Sequence, residues 1–228
     1  MIKKMSKPVI SIENVVKSFG TAVVLDDITL DVEKGKICGI IGRNGSGKTV
    51  LFKCICGLLN IDSGKIQADR TQLGVIIEEP GFLRQYSGKR NLQLLAGLSD
   101  KPHMDITEVM TLVGLKDAMS KKVGKYSMGM RQRLGIAQAI MEYQQILILD
   151  EPTRGIDVGA KYDIYCLINK MVEDGKSVIM ISSEMPELLG MCDRIYVMSE
   201  GRLAGEFTAE EATQERIMAS IMQEQNKK

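Results

Sequence analysis

The run Gly42-Arg43-Asn44-Gly45-Ser46-Gly47-Lys48-Thr49 satisfies the pattern G-x-x-x-x-G-K-[ST] at every position. It is preceded by the apolar run Ile37-Cys38-Gly39-Ile40-Ile41, suited to a buried strand, and followed by Leu51, Cys54, Ile55 and Leu58 at helical spacing. Strand, glycine loop and helix in that order make a cradle for phosphate. Gly42, Gly45 and Gly47 can take backbone angles that other residues resist, so successive N–H groups turn inward at the positive end of the helix. Lys48 is then placed to neutralise the outer phosphates and Thr49 to offer its hydroxyl to magnesium. The pattern predicts binding of a nucleoside triphosphate.

A chain of 228 residues can bury a full α/β core. Its formal charge of +1, from 30 basic and 29 acidic residues, provides no overall field for nucleic acid or an anionic membrane. Cys38, Cys54, Cys56, Cys166 and Cys192 fall mostly in apolar segments without a C-x-x-C pair, which predicts small buried thiols and neither a disulfide frame nor a zinc site. No apolar run approaches the roughly 18 residues that span a bilayer, and no secretory leader is expected. A soluble chain is expected, whose membrane role would come through a partner.

In chain order, 9–16 alternates as a strand, Phe19-Gly20 reads as a turn, and 28–33 alternates again, predicting a small antiparallel sheet ahead of the phosphate loop. The Phe19 ring either stacks on a purine or packs in that sheet; the sequence leaves both open. Asn60 to Gly64 is turn chemistry, and 73–77 is a strand ending in Glu78-Glu79-Pro80. From there to Glu142 the pattern is mostly helical, with breaks near 99–102 and 121–124; His103 in the first break reads as a solvated loop residue.

Gln145-Ile146-Leu147-Ile148-Leu149 is the strongest strand signal and runs into Asp150-Glu151-Pro152. Carboxylates at the exit of a buried parallel strand sit where α/β folds place ligands. Asp150 is the candidate holder of magnesium and Glu151 the candidate that polarises an attacking water. Asp157 caps a helix with Ile164, Leu167, Ile168 and Met171 inward, and 177–181 is a strand followed by a short helix at 185–191. Segments 194–198 and 202–207 form a hairpin. Thr208 and Glu211 then read as a capping box before a helix with Ile217, Met218, Ile221 and Met222 on one face. Most of the fifteen methionines read as core filler.

Ser127 is a good N-cap for a helix burying Leu134, Ala137, Ile140 and Met141, a second helix start able to receive a phosphate. Tyr126-Ser127-Met128-Gly129-Met130-Arg131-Gln132-Arg133-Leu134 also resembles the signature of one family. With the glycine loop and the Asp-Glu-Pro-Thr stretch, the chain from about Val9 to Phe207 resembles the nucleotide-binding subunit of an ATP-binding cassette (ABC) transporter.

The resemblance implies an α/β fold: a P-loop NTPase core with an N-terminal antiparallel β subdomain and an inserted helical subdomain. Its domain would span 5–228, with 1–78 and 143–228 as core and 79–142 as the helical insert. It implies an ATPase using ATP and Mg2+, Ser127 and Gly129 on the γ-phosphate of a second cassette, and Asp157 crossing the same interface. Partners would be that cassette, homo- or heterodimeric, and a membrane permease, with no nucleic acid. The subunit would be cytoplasmic, on the inner face of the membrane.

Within the family, the stretch from Ile77 and the signature resemble stand-alone cassettes of bacterial peptide and drug exporters. The stretches 151–159 and 182–188, and the tail from Gly201, resemble the second cassette of fused sugar importers. Export is the expectation and sugar import, or a weakly hydrolysing regulatory cassette, the alternative. Three departures stand out. Met128 replaces a glycine, Glu78 takes the place of the loop glutamine, and Glu184 is read at the switch histidine. An ionised carboxylate repels a γ-phosphate, so slow hydrolysis is expected, raised by Glu184→His.

Overall fold

The computed structural model describes residues 7–77 and 81–225. Strands β1 (Ile10–Phe19) and β2 (Ala22–Val32) pair antiparallel around Gly20-Thr21, and β4 (Ser63–Ala68) adds to the other side of β1. The expected small sheet therefore has three strands. The third had no apolar alternation to announce it, because β4 is an edge strand with mostly exposed residues. Gly64 is required in it, since a side chain there would run into the Asn14 carbonyl, where β1 is irregular.

The second sheet has the order β5-β6-β7-β3-β8-β9. Strands β5 (Leu73–Ile76), β6 (Ile146–Asp150), β7 (Ser177–Ile181), β3 (Ile37–Gly42) and β8 (Arg194–Ser199) are parallel, and β9 (Arg202–Thr208) closes one edge antiparallel. The inner strands are continuous apolar runs because both faces are covered. On β6, Leu147 and Leu149 face one core while Ile146 and Ile148 face the other, and β7 divides its residues the same way.

One core lies between this sheet, α1 (Lys48–Ile55) and the antiparallel sheet, centred on Phe52, Leu51 and Ile28. The other lies under α4 (Met128–Ile140), α5 (Val158–Glu173) and α6 (Met185–Met191). Between β5 and β6 the chain also forms α2 (Gly88–Ala96) and α3 (Ile106–Leu112) with turns of 3-10 helix at 116–118 and 123–125.

Three expectations need correction. The cap of the last helix, α7 (Gln214–Gln225), is Thr213, whose hydroxyl accepts the Arg216 N–H at 3.2 Å. Thr208 donates both its N–H and its hydroxyl to Glu211 Oε2, but around a separate turn in which the Glu211 and Ala212 N–H groups reach the Thr208 carbonyl. The four apolar residues of α7 do not share a face: Ile217 and Ile221 are buried, while Met218 and Met222 are exposed. Their stripe spans more arc than the sheet covers, so those methionines are not core filler. Of the cysteines, Cys38, Cys54 and Cys192 are buried, Cys56 is half-buried, and Cys166 is exposed on α5. His103 is exposed as expected.

Strand β5 and helix α4 approach closely at Gly74, where a Cβ would lie well inside contact distance of the Ala139 carbonyl. Neither backbone can yield cheaply. Gly74→Ala is expected to cost about 3 kcal/mol, measured by urea unfolding, whereas Gly81→Ala, in open space, should change stability little.

Candidate functional site

The order β6-β7-β3 puts the ends of three parallel strands side by side at their carboxyl edge. The glycine loop leaves β3, Asp150-Glu151 leaves β6, and Ser182-Ser183 leaves β7 between them. A cavity of about 740 Å³ opens there, lined among others by Asn44, Gly45, Lys48, Thr49, Asp150 and Glu151. Residues far apart in sequence thus meet at the crevice where such sheets bind ligands.

The loop glycines serve for two reasons. Gly45 and Gly47 have φ of +83° and +99°, and Gly47 is the left-handed N-cap of α1. Gly42 has no such angle; it is needed because a side chain would strike the Met198 carbonyl and the Ser46 hydroxyl. Lys48 is buried, and its Nζ donates to the Gly42 and Arg43 carbonyls at 2.7 and 2.9 Å. Burial lowers its pKa, opposed by the negative charges of Glu151 and Asp150. The Arg43 side chain is exposed and Ser46 is buried.

Glu151 stands at φ +49°, an unusual angle for a residue with a Cβ. Its N–H donates to the Ile181 carbonyl at 3.0 Å, its carbonyl accepts from Arg154 N–H at 3.2 Å, and its Oε2 accepts from the Ser183 hydroxyl at 3.1 Å. Two residues on, the buried Thr153 hydroxyl donates to Glu187 Oε1 on α6. The other oxygen of Glu187 is buried without a partner. Burial pushes the neighbouring Tyr165 phenol up to about 12, with Glu187 adding to the shift. The turn carrying Glu151 is therefore fastened to β7, to the loop after it and to α6.

Among the remaining sequence candidates, Ser127 caps α4 by accepting the Met130 N–H at 3.2 Å, and Asp157 caps α5 by accepting the Ala160 N–H at 3.0 Å. Gly129 is buried with Ala160 and Ile156 close to where its side chain would be. These three do not line the cavity; Met128 and Gln132, from the same helix start, do. The Phe19 ring is 48% exposed with the Lys17 ammonium 5.4 Å from its centroid, so the core placement is excluded; it too is off the cavity lining. Glu78 lies outside the described residues.

Glu184 is the N-cap residue of α6. Its carboxylate is held by Lys161 of α5 and does not line the cavity. The residue after β7 that reaches Glu151 is Ser183, one position earlier. The sequence reading also missed Val24, Gln132, Arg154 and Gly155 as lining residues. Gln132 is buried with Oε1 unpartnered, a polar group that helical periodicity assigns to no role.

Thr49 and Asp150 supply hard oxygen donors in one cavity, which fits magnesium, an ion that keeps waters and phosphate oxygens for its other positions. The described residues contain no cluster of three or more His, Cys, Asp or Glu side chains that could hold a metal by itself. A hard-cation site completed by a bound phosphate is consistent with both facts. Fold and cavity together define a nucleotide-binding P-loop protein.

The family model described as ABC transporter matches residues 25–154. The chain belongs to the ABC transporter family. It is an ATP-binding cassette that hydrolyses ATP, with Mg2+ as the cofactor. Similar structures include MJ1267, an ATP-binding cassette of an ABC transporter in its ADP conformation, at 22% identity and TM-score 0.84, over 95% of this chain and 99% of that one. Another is cbiO1 from Clostridium perfringens, part of the ABC transporter complex cbiONQ, at 23% and 0.83 over 93% of both chains. A third is the cassette MJ0796 in a dimeric post-hydrolysis state with ADP and Pi, at 21% and 0.77 over 88% of this chain and 98% of that one. At these identities the likeness is one of fold. No helix among the described residues is long and apolar enough to cross a membrane.

The Thr153–Glu187 bond is open to a direct test. Thr153→Val keeps the volume but removes the donor from a buried carboxylate, and is expected to cost about 2 kcal/mol in urea unfolding, with Thr153→Ser close to wild type. Equal losses in both variants would show that the hydroxyl is not what matters.

Proposed function

We propose that this chain is the energising subunit of a membrane transporter, closing on ATP with a second cassette and passing that closure to a separate permease. The observation that carries the reading is the single cavity shared by Lys48, Thr49, Asp150 and Glu151. Lys48 and the loop N–H groups hold the β- and γ-phosphates. Thr49 and Asp150 hold Mg2+, which when bound neutralises developing charge on the phosphates. Glu151 orients water and takes its proton as the water oxygen attacks the γ-phosphorus and the bond to the β-phosphate bridging oxygen breaks, giving ADP and phosphate. Glu78 remains a proposed second magnesium contact through the resemblance.

Ser183 holds the Glu151 carboxylate in place, and Glu184, read in the sequence at the switch-histidine position, is paired with Lys161 and stands back from the phosphates. Ser127, Gly129 and Asp157, which stay off the chain's own cavity lining, are then free to complete the site of a second cassette. The dimeric state described for MJ0796 supports that pairing. Phe19, exposed at the end of β1, is proposed to meet the purine. The stretch from Ile77 and the signature favour export of a peptide or drug, whereas the 151–159 stretch resembles sugar importers. The subunit sits on the cytoplasmic side of the membrane.

Glu151→Gln is expected to reduce MgATP turnover by about 10²–10⁴ while leaving nucleotide binding intact and trapping a dimer in size-exclusion chromatography. Loss of nucleotide binding in that variant would sink the assignment. Ser183→Ala should lower kcat by about tenfold or more with KM little changed, whereas Glu184→Gln should alter kcat less than about threefold. A reversal of those two effects would restore Glu184 to the site.

A further inference from the structure

The turn that follows β6 sorts its side chains sharply. Pro152, Thr153 and Ile156 are buried, while Arg154 and Gly155 are exposed. Two hydrogen bonds close it, from Arg154 N–H to the Glu151 carbonyl and from Ile156 N–H to the Thr153 carbonyl, both at 3.2 Å. Glu151 at φ +49° opens the turn and Gly155 at +71° ends it. Thr153 is fastened on the inner side to Glu187. Arg154 is left on the outer side, where it lines the same cavity as Lys48, Thr49, Asp150 and Glu151.

Among the described residues no hydrogen bond or ion pair engages the Arg154 guanidinium. The other cation among the lining residues, Lys48, is largely committed. An ammonium has three N–H donors, and two of them already reach the Gly42 and Arg43 carbonyls. The carboxylates of Asp150 and Glu151 stand against these two cations, so the charges of the lining cancel. Beside Arg154 the wall is neutral, made of Gly155 and of Met128 and Gln132 from α4, with Met128 Cε 3.7 Å from where a Gly155 side chain would begin. The one cation with all its donors free therefore stands at the Glu151 end of the cavity.

We infer that Arg154 binds the terminal phosphate of the nucleotide held in this chain's own cavity, and steadies the charge on its oxygens as the bond to the β-phosphate breaks. The inference rests on the catalytic reading proposed above. In that reading Glu151 stands on the water side of the γ-phosphate, and Arg154 leaves the same short turn, so its reach is toward that phosphate and away from the sugar and base. A guanidinium presents a planar fork of donors that matches two phosphate oxygens at once and is more weakly hydrated than an ammonium. In phosphoryl transfer the charge of the transition state is spread over the equatorial oxygens, and a positioned arginine acts on it there. ADP lacks the group that Arg154 would hold, so the contact should favour ATP over ADP.

The test is calorimetric titration of the full chain with MgADP and with the non-hydrolysable imido analogue of MgATP, at concentrations where size-exclusion chromatography shows single chains. Arg154→Gln is expected to weaken binding of the analogue about tenfold or more and that of MgADP less than about twofold. Arg154→Lys keeps the charge without the fork and should recover part of the preference. Turnover at saturating MgATP should fall about a thousandfold in Arg154→Gln. Unchanged MgADP binding reports that the variant has folded. Lys65→Gln, on β4 and off the cavity lining, makes the same change in net charge and should alter neither affinity. Equal losses for the two nucleotides, no loss for either, or a loss confined to conditions in which two chains associate would each overturn the proposal, the last by giving Arg154 to the second cassette's nucleotide. Lys48→Ala separates this inference from the reading beneath it. If Lys48→Ala loses both nucleotides while Arg154→Gln behaves as wild type, the inference falls and the proposed function stands; binding undiminished by Lys48→Ala would remove both.

Discussion

The placement of β7 between β3 and β6 is the constraint on which the rest depends. Its backbone pairs with β3 from Ile37 to Ile40 and with β6 from Ile146 to Asp150. This ladder fixes how far the phosphate loop stands from the acidic pair, and no side chain sets that distance. Backbone pairing in a sheet buried on both faces is among the stiffest spacings a protein can make, because slipping one register turns every apolar side chain toward the wrong core. The even split of β6 and β7 between the two cores enforces that register.

Rigidity at the strands allows local irregularity where they end. Glu151 adopts its left-handed angle because its N–H, carbonyl and carboxylate are each satisfied by a different neighbour, and because Thr153 is fastened to α6 two residues later. An unfavourable angle persists where the surroundings over-determine it. The same arrangement makes α6 part of the site without lining it.

Much of this was legible in the sequence. The glycine loop, the strand before Asp150, the caps Ser127 and Asp157 and the final hairpin are local signals, and local signals survive folding. What was not legible depended on tertiary geometry. The edge strand β4 draws its stability from β1, so its own residues carry no pattern. Gly42 looked like a source of backbone freedom and serves as clearance for Met198. The Ser183 hydroxyl on the Glu151 carboxylate and the Lys161 ammonium on that of Glu184 are meetings of side chains from separate elements, which no local pattern announces. Gln132 and Arg154 line the cavity from positions that helical spacing and turn chemistry leave neutral.

The thiols lead to a practical consequence. Cys38 and Cys192 are sealed in the core, the former pushed by burial up to about 12, and Cys56 is raised to about 11 by partial burial despite the nearby Arg70. Attack by maleimides or iodoacetamides requires thiolate and access together. Cys166 alone is exposed, on the helix that Asp157 begins. The native chain therefore offers a single spectroscopic handle for dyes or spin labels, without prior removal of other cysteines, on the helix whose start is proposed to face the second cassette.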